Sequence, residues 1–382
     1  MNTSFREICA SAATTWDVQA MTVGTAIDGD IAVVALGCEP ATRFRAASIT
    51  KPFTALLATG LLELDETTGV WPDDVRVRHL LSHVTGFDCE LPAGDLSRLG
   101  SGDDALGSAV AELPMVRRFV GVEEIWSYAN TGYWLAGHCA AARANSTYEE
   151  ALATRVLGPF GLEATSFGEP DLAGTGVGAM DGPYPRARRP SGGLVSNTPD
   201  LVRFAQQLLA EPRFAVMRRP YGKPLGGVYG LGLFGERVGG VEVWGHSGSY
   251  GGFQSQLLIV PDADAVFVGL TNSGSGAKAL YDVEQAFFDA VLGARRVLVP
   301  FVELPDAQLE RYAGRYANTD TEAEISVADG GLVLAADGEE VFLRPVGESR
   351  FRVPDGPHVR ERIDFPRDGL VRLGSRLAER VT

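Results

Sequence analysis

Long apolar runs are missing: nowhere do the 382 residues approach the roughly eighteen consecutive apolar positions that a membrane-spanning helix needs. The start, MNTSFREICASAATTWDV, lacks a basic end followed by an apolar core, so nothing there reads as a secretory signal and the cytoplasm is the expected location. Cysteine is scarce. Cys9, Cys38, Cys89 and Cys139 are widely spaced with no C-x-x-C pair, which excludes a disulfide framework and a zinc cluster and leaves buried thiols. Excess positive charge is absent as well: a formal net charge of −15 repels nucleic acid and anionic membranes. What is present is the composition of a folded enzyme, 45% hydrophobic and 22% charged, in a chain long enough for one large domain and a smaller one.

The order of patterns divides the chain. VGTAIDGDIAVVALG alternates and turns at Asp28-Gly29, which predicts a hairpin. A helical and loop-rich middle follows. VRVRHLLSHVTGF predicts a short helix ended by Gly86, and residues 130–162 predict two helices joined at Asn145-Ser146. Residues 163–196 are dense in Gly and Pro and read as a long ordered loop or site wall. TPDLVRFAQQLLA restarts a helix, with Thr198 as cap and Pro199 at its first position. After residue 225 strands return, with a hairpin at Pro261 to Ala263. A helix carrying Leu280, Val283, Phe287 and Val291 on one face then stops at Gly293. Early strands, a helical insert, later strands and a closing helix imply an antiparallel sheet closed by both ends of residues 1–300 and flanked by helices. Residues 301–382 are short alternating runs with Gly and Asp turns, the pattern of a small antiparallel barrel or sandwich. The fold class is therefore α/β, of the α+β kind, followed by a small all-β unit.

Within FRAASITKPFTALLATGLLELD, Ser48 and Lys51 stand three apart, one turn above each other on one helix face. Leu56, Leu57, Gly60 and Leu64 recur at helical spacing, which puts Ser48 in the first turn, where N–H groups and the helix dipole favour an oxyanion. Alone, S-x-x-K is equally a capping serine and a solvated lysine. WSYANTGYWLAG adds Tyr128 and Asn130, which project to one side of an extended loop, or are simply a core tyrosine and a helix cap. VWGHSGSYGG adds His246, Gly248 and Ser249 beside a hairpin, where a strand edge can offer an N–H to a carbonyl; a turn histidine is the plain alternative.

Ser48-Ile-Thr-Lys51, Tyr128-Ala-Asn130 and His246-Ser-Gly248 together resemble the three motifs of the penicillin-recognising serine enzymes, in order and approximate spacing. The resemblance is nearest to class C β-lactamases and their esterase, D-aminopeptidase, DD-peptidase and acyltransferase relatives, and runs over roughly residues 40–275 through HLLSHVTGF, VLGPFGLEATSFG and SGGLVSNTPDLVRFAQQLL. The last 80 or so residues resemble the lipocalin-like barrel that some of these enzymes carry. The resemblance implies a β-lactamase/transpeptidase-like fold with an all-helical subdomain, and a serine hydrolase or acyltransferase working through acyl-Ser48 on an ester, amide or peptide-like small molecule. It implies Ser48 as nucleophile and Lys51 or Tyr128 as base, with Asn130 holding the lysine and the substrate. It also implies an oxyanion hole from the N–H groups of Ser48 and Ser249, with Ser247 and Gly248 lining the substrate site.

One departure stands out. His246 occupies the position of the lysine of K-T-G, and a histidine near its ordinary pKa of about 6.5 is a weak partner for a β-lactam carboxylate. An esterase, amidase, peptidase or acyltransferase is therefore expected ahead of a β-lactamase or DD-peptidase; a catalytically silent sensor of the same fold has no need of Ser48, Lys51 and Tyr128 together. GHSGS is a poor nucleophile elbow, because position 249 is Ser and a hairpin follows. His79 and His83, at i and i+4, lack the H-E-x-x-H glutamate and read as structural, so neither metal nor cofactor is expected. The basic RARR at 186–189 reads as a solvated loop.

Overall fold

The computed structural model describes residues 3–92, 96–180, 182–354 and 362–381. After helix α1 (Thr3–Thr15), strands β1 (Met21–Ile27) and β2 (Asp30–Leu36) form the expected hairpin. Asp28 and Gly29 both take positive φ, 49° and 85°, as a tight two-residue turn demands. Strands β3 (Phe44–Arg45) and β4 (Val195–Ser196) pair with each other and pin the start of the Ser48 segment to the end of the loop-rich region. The later strands are β5 (Val228–Tyr229), β6 (Phe234–Val238), β7 (Val241–Tyr250), β8 (Phe253–Val260) and β9 (Ala265–Thr271). They complete a seven-stranded antiparallel sheet in the order β2-β1-β9-β8-β7-β6-β5, in which β1 from the chain start lies against β9.

The helical insert packs on one face of the sheet and comprises α2 (Thr50–Thr59), α3 (Val77–Ser82), α4 (Ala105–Glu112), α5 (Asn130–Ala144), α6 (Tyr148–Leu152), α7 (Arg189–Gly192), α8 (Thr198–Ala210) and α9 (Phe214–Met217). The apolar faces of this layer bury Phe53, Leu56, Leu80, Trp134, Phe204 and Leu257 in one continuous core. On the opposite face α10 (Gly276–Leu292) and α1 bury Phe267, Leu280, Val283 and Phe287. Gly24 explains how closely α8 sits: a Cβ there would lie 2.4 Å from the Thr198 methyl. No helix among the described residues is long and apolar enough to cross a membrane.

Beyond the short helix α11 (Asp306–Leu309), eight strands close into a barrel: β10 (Gly314–Ala317), β11 (Glu322–Ala328), β12 (Gly331–Ala336), β13 (Glu339–Gly347), β14 (Arg350–Arg352), β15 (Arg362–Arg367), β16 (Leu370–Leu373) and β17 (Arg376–Val381). Leu309, Tyr316, Leu343, Phe351 and Val371 fill its interior. It is fastened to the helical layer by polar contacts. Thr319 donates from both N and Oγ1 to Asp88 Oδ2 at 2.9 and 2.7 Å, and Arg372 Nη1 donates to the Trp126 carbonyl at 2.9 Å.

Three boundaries differ from the sequence expectation. Helix α2 begins at Thr50, and Ser48 lies in a 3-10 turn, Ala47–Ile49, that leads into it. Helix α3 stops at Ser82 because His83 takes the left-handed conformation, φ 59°, three residues before Gly86. The cap of α8 is Asn197, whose side chain accepts from Asp200 N, so Thr198 and Pro199 both lie inside the first turn.

Candidate active site

Local chemistry sets the serine. Ala47 adopts φ 46°, a left-handed backbone that costs a non-glycine residue about 1–2 kcal/mol. The turn is held by Thr50, whose hydroxyl donates to Ala47 O at 2.7 Å and accepts from Leu194 N at 3.1 Å. Ser48 is left half-buried, with Lys51 Nζ 3.2 Å and the Tyr128 hydroxyl 2.9 Å from its Oγ. The structure thus brings the two halves of the expected pair, and Tyr128 from eighty residues away, onto one oxygen.

Lys51 has no solvent exposure. Its other neighbours are acceptors: Asn130 Oδ1 at 2.8 Å and the Ser191 carbonyl at 2.7 Å. Burial holds the amine well below its ordinary pKa, with the nearby Cys89 and Glu90 opposing that shift. A neutral amine has two N–H bonds and one lone pair. With both N–H groups of the neutral form spent on Asn130 and Ser191, its lone pair would face the Ser48 hydroxyl 3.2 Å away. Tyr128 is displaced the other way: burial raises its phenol above the ordinary range, so it remains a donor to Ser48 Oγ.

Asn130, the first residue of α5, is engaged at both ends, since its Nδ2 donates to Glu90 Oε1 at 2.6 Å. Its Oδ1 reaches the lysine, and Nδ2 carries a second hydrogen beyond the one given to Glu90. Glu90, which the sequence reading overlooked, is buried and also accepts from Arg188 Nη2 at 2.7 Å. Arg188 belongs to the RARR stretch, which is not a solvated loop: Ala187 is buried, and Arg186 and Arg189 both pair with Glu149. The stretch leads into α7, whose Ser191 carbonyl touches Lys51.

Strand β7 supplies the other wall. Its hairpin with β8 closes at Tyr250–Phe253 over Gly251 and Gly252, so Gly248 and His246 exchange hydrogen bonds with β8 while Ser247 and Ser249 turn their N–H groups to the outer edge. Strand β6 pairs only as far as Gly245, leaving that edge open beside Ser48. Gly248 cannot contact substrate through a side chain; its value is closeness, because a Cβ there would stand 2.9 Å from Ser48 N and 2.5 Å from Ala46 O. Ser247 is exposed in the cavity, and Ser249 Oγ accepts from Gln254 Nε2 at 2.9 Å.

His246 departs from expectation. It is buried, with Nδ1 2.6 Å from the Ser247 carbonyl and Nε2 3.1 Å from the Tyr229 hydroxyl. Nδ1 therefore carries the proton and Nε2 accepts from Tyr229. Burial, with help from Lys51, pushes its pKa down to about 3, so the ring is neutral throughout the neutral range and not the partly charged group anticipated from the sequence. His83, read from the sequence as structural, is a second buried histidine. Its Nδ1 accepts from Ala129 N at 3.0 Å, its carbonyl accepts from Ser127 N at 3.0 Å, and its ring packs 4.3 Å from that of Tyr128. His79 turns elsewhere, to Arg76 N and Glu123.

Ser48, Tyr128, His246, Ser247 and Ser249 line one cavity of about 420 Å³. Cys89, Glu90 and Asp320 bring ligand-type atoms within 4.8 Å of one another. Both carboxylates of that cluster are already paired with guanidinium groups, Glu90 with Arg188 and Asp320 with Arg376, which occupy the place of a cation.

Residues 11–290 match the family model described as Beta-lactamase. Penicillin-binding protein 4 of Amycolatopsis lactamdurans is 26% identical over 326 residues, covering 72% of this chain and 84% of that protein. Penicillin-binding protein 4* of Bacillus subtilis (strain 168) is 24% identical over 372 residues, covering 81% and 80%. Among solved structures, SurE with D-Leu superposes with a TM-score of 0.79 at 24% identity over 99% of both chains. The octameric penicillin-binding protein homologue from Pyrococcus abyssi gives 0.66 at 22% identity over 98% of this chain and 99% of that one. D-amino acid amidase from Ochrobactrum anthropi SV3, complexed with L-phenylalanine amide, gives 0.63 at 21% identity over 75% and 98%. At these identities the likeness to solved structures speaks to the fold, barrel included where it spans the whole chain.

Proposed function

The chain belongs to the β-lactamase family of serine hydrolases and acyltransferases, and on that premise we propose that it cleaves or transfers the acyl group of a peptide-like amide or an ester through acyl-Ser48. The observation that carries this reading is the convergence of Lys51 Nζ and the Tyr128 hydroxyl on Ser48 Oγ at 3.2 and 2.9 Å. A serine hydroxyl is a weak nucleophile until a neighbouring base takes its proton. In our reading Lys51 is that base. Ser48 Oγ bonds to the acyl carbon as its proton passes to Lys51 Nζ, and the carbonyl oxygen becomes an oxyanion held by the N–H groups of Ser48 and Ser249. As the scissile bond breaks, the Tyr128 phenol protonates the leaving amine or alcohol and recovers a proton from Lys51, so the unit ends neutral. Water or an amine then repeats the steps in reverse on acyl-Ser48. Asn130 and the Ser191 carbonyl orient the lysine, and Glu90 orients Asn130.

A neutral His246 offers no fixed charge to a substrate carboxylate at the third motif. The test is pre-steady-state kinetics with a p-nitrophenyl ester beside a panel of amides and a penicillin. The wild type should release a burst of about one equivalent of nitrophenol per site, as an acyl-enzyme requires. Ser48→Ala should melt normally and show neither burst nor turnover. A Ser48→Ala protein with full activity would remove Ser48 from the reaction.

A further inference from the structure

The third motif lacks its lysine, and the buried His246 does not replace the missing charge. Lys51 is sealed from solvent and Arg188 is committed to Glu90, so neither can greet an anionic substrate. One cation does line the cavity with Ser48. Among the described lining residues Arg376 is the only lysine or arginine, and the one carboxylate there, Glu284, is held from behind by Arg296.

Arg376 comes from the barrel, more than three hundred residues from the nucleophile. The turn between β16 and β17 projects into the cleft, and both neighbours of Arg376 are tied to the Tyr128 segment. Ser375 O accepts from Tyr128 N at 2.8 Å, and Leu377 N donates to Ser127 Oγ at 3.0 Å. The arginine is thereby registered against the phenol that faces Ser48. Its Nη1 pairs with Asp320 of the β10–β11 turn, its Nε and Nη2 have no hydrogen-bond partner among the described residues, and its side chain is 33% exposed. A guanidinium anchored on one side with an open edge on the other is suited to two parallel bonds to an incoming carboxylate.

We propose that Arg376 is the receptor for a free carboxylate on the amine half of the substrate, so that the barrel completes the substrate site. This inference depends on the reading of Ser48, Lys51 and Tyr128 above. If Tyr128 protonates the departing amine, that half of the substrate lies beside Tyr128 and within reach of Arg376. An amine attacking acyl-Ser48 enters by the same path, so the subsite selects peptides or amino acids with a free α-carboxylate both as leaving group and as acceptor.

The experiment measures how far acetyl-alanyl-alanine, in each of its four stereoisomers, slows fluorophosphonate labelling of Ser48, compared with the corresponding carboxamides. In the wild type at least one carboxylate peptide should protect at a concentration roughly ten- to a hundredfold lower than its carboxamide, the range expected for hydrogen bonds to a charged group. In Arg376→Ala that ratio should fall to near one; in Arg376→Lys it should be reduced but retained, and this second variant decides if the alanine protein does not fold. Asp320→Asn, which leaves the guanidinium in place, should keep the preference. No preference in the wild type, or a preference that survives in both arginine variants, overturns the proposal. Absence of labelling in the wild type would instead undo the reading of Ser48, so the two failures are distinct.

Discussion

Replacing Lys51 by Met should change stability by an amount that depends on pH, and the slope reports whether the lysine is neutral in the folded protein. Burial holds the amine below its ordinary value of 10.5, a value the unfolded chain recovers. At any pH between the folded and unfolded values the unfolded chain binds one proton that the folded protein does not. The wild type therefore gains stability as pH rises, by about 1.4 kcal/mol per unit. Methionine has no such titration. The variant also leaves Asn130 Oδ1 and the Ser191 carbonyl without a donor, at about 1–3 kcal/mol each, but that loss does not vary with pH. The difference between the two proteins should thus climb in favour of the wild type as pH rises towards the unfolded value, by about 1.4 kcal/mol for each pH unit over which the folded lysine is neutral. Urea unfolding followed by tryptophan fluorescence at pH 7, 8 and 9 measures it. A difference that stays constant with pH would mean that the folded lysine is charged over this range, and would refute its assignment as the base.

Two further outcomes follow from the same geometry. Tyr128→Phe and Lys51→Ala should each lower kcat by orders of magnitude and combine less than additively, since both act on the Ser48 proton; strictly additive losses in a double-mutant cycle would show independent roles. Because His246 is neutral down to about pH 3, carboxylate-bearing and neutral donors should respond alike between pH 5.5 and 8, and a selective gain for the carboxylate donor on acidification would show that the ring charges in that range.

Much of this site was legible because its parts are local. Ser48 and Lys51 are one helical turn apart, Tyr128 and Asn130 are two residues apart, and the strand edge at Ser249 follows from the Gly251-Gly252 turn. The sheet was legible for the same reason: Asp28-Gly29 and Pro261 to Ala263 name their hairpins. What sequence patterns could not reveal are contacts made by a single side chain or carbonyl across a large separation. Glu90 looks like any loop acid until Asn130 and Arg188 close on it, and Ser191 contributes a backbone oxygen, which no residue type advertises. RARR looks solvated because three arginines invite water; only the fold brings Glu149 and Glu90 to them. The signal that could have pointed to Glu90 and Arg188 is the isolation of three arginines in an acidic chain. Nothing local marks Arg376. His246 shows a different limit: its residue type was legible, its burial was not, and burial decides its charge.

Intact mass spectrometry of acid-quenched enzyme after exposure to an activated ester, with the modified peptide mapped, tests most directly whether Ser48 carries the acyl group. The wild type should carry one acyl group per chain on the peptide containing Ser48, the same adduct should accumulate where deacylation is slowed by Tyr128→Phe, and Ser48→Ala should carry none. An adduct on another residue, or one that persists in Ser48→Ala, would contradict that role of Ser48.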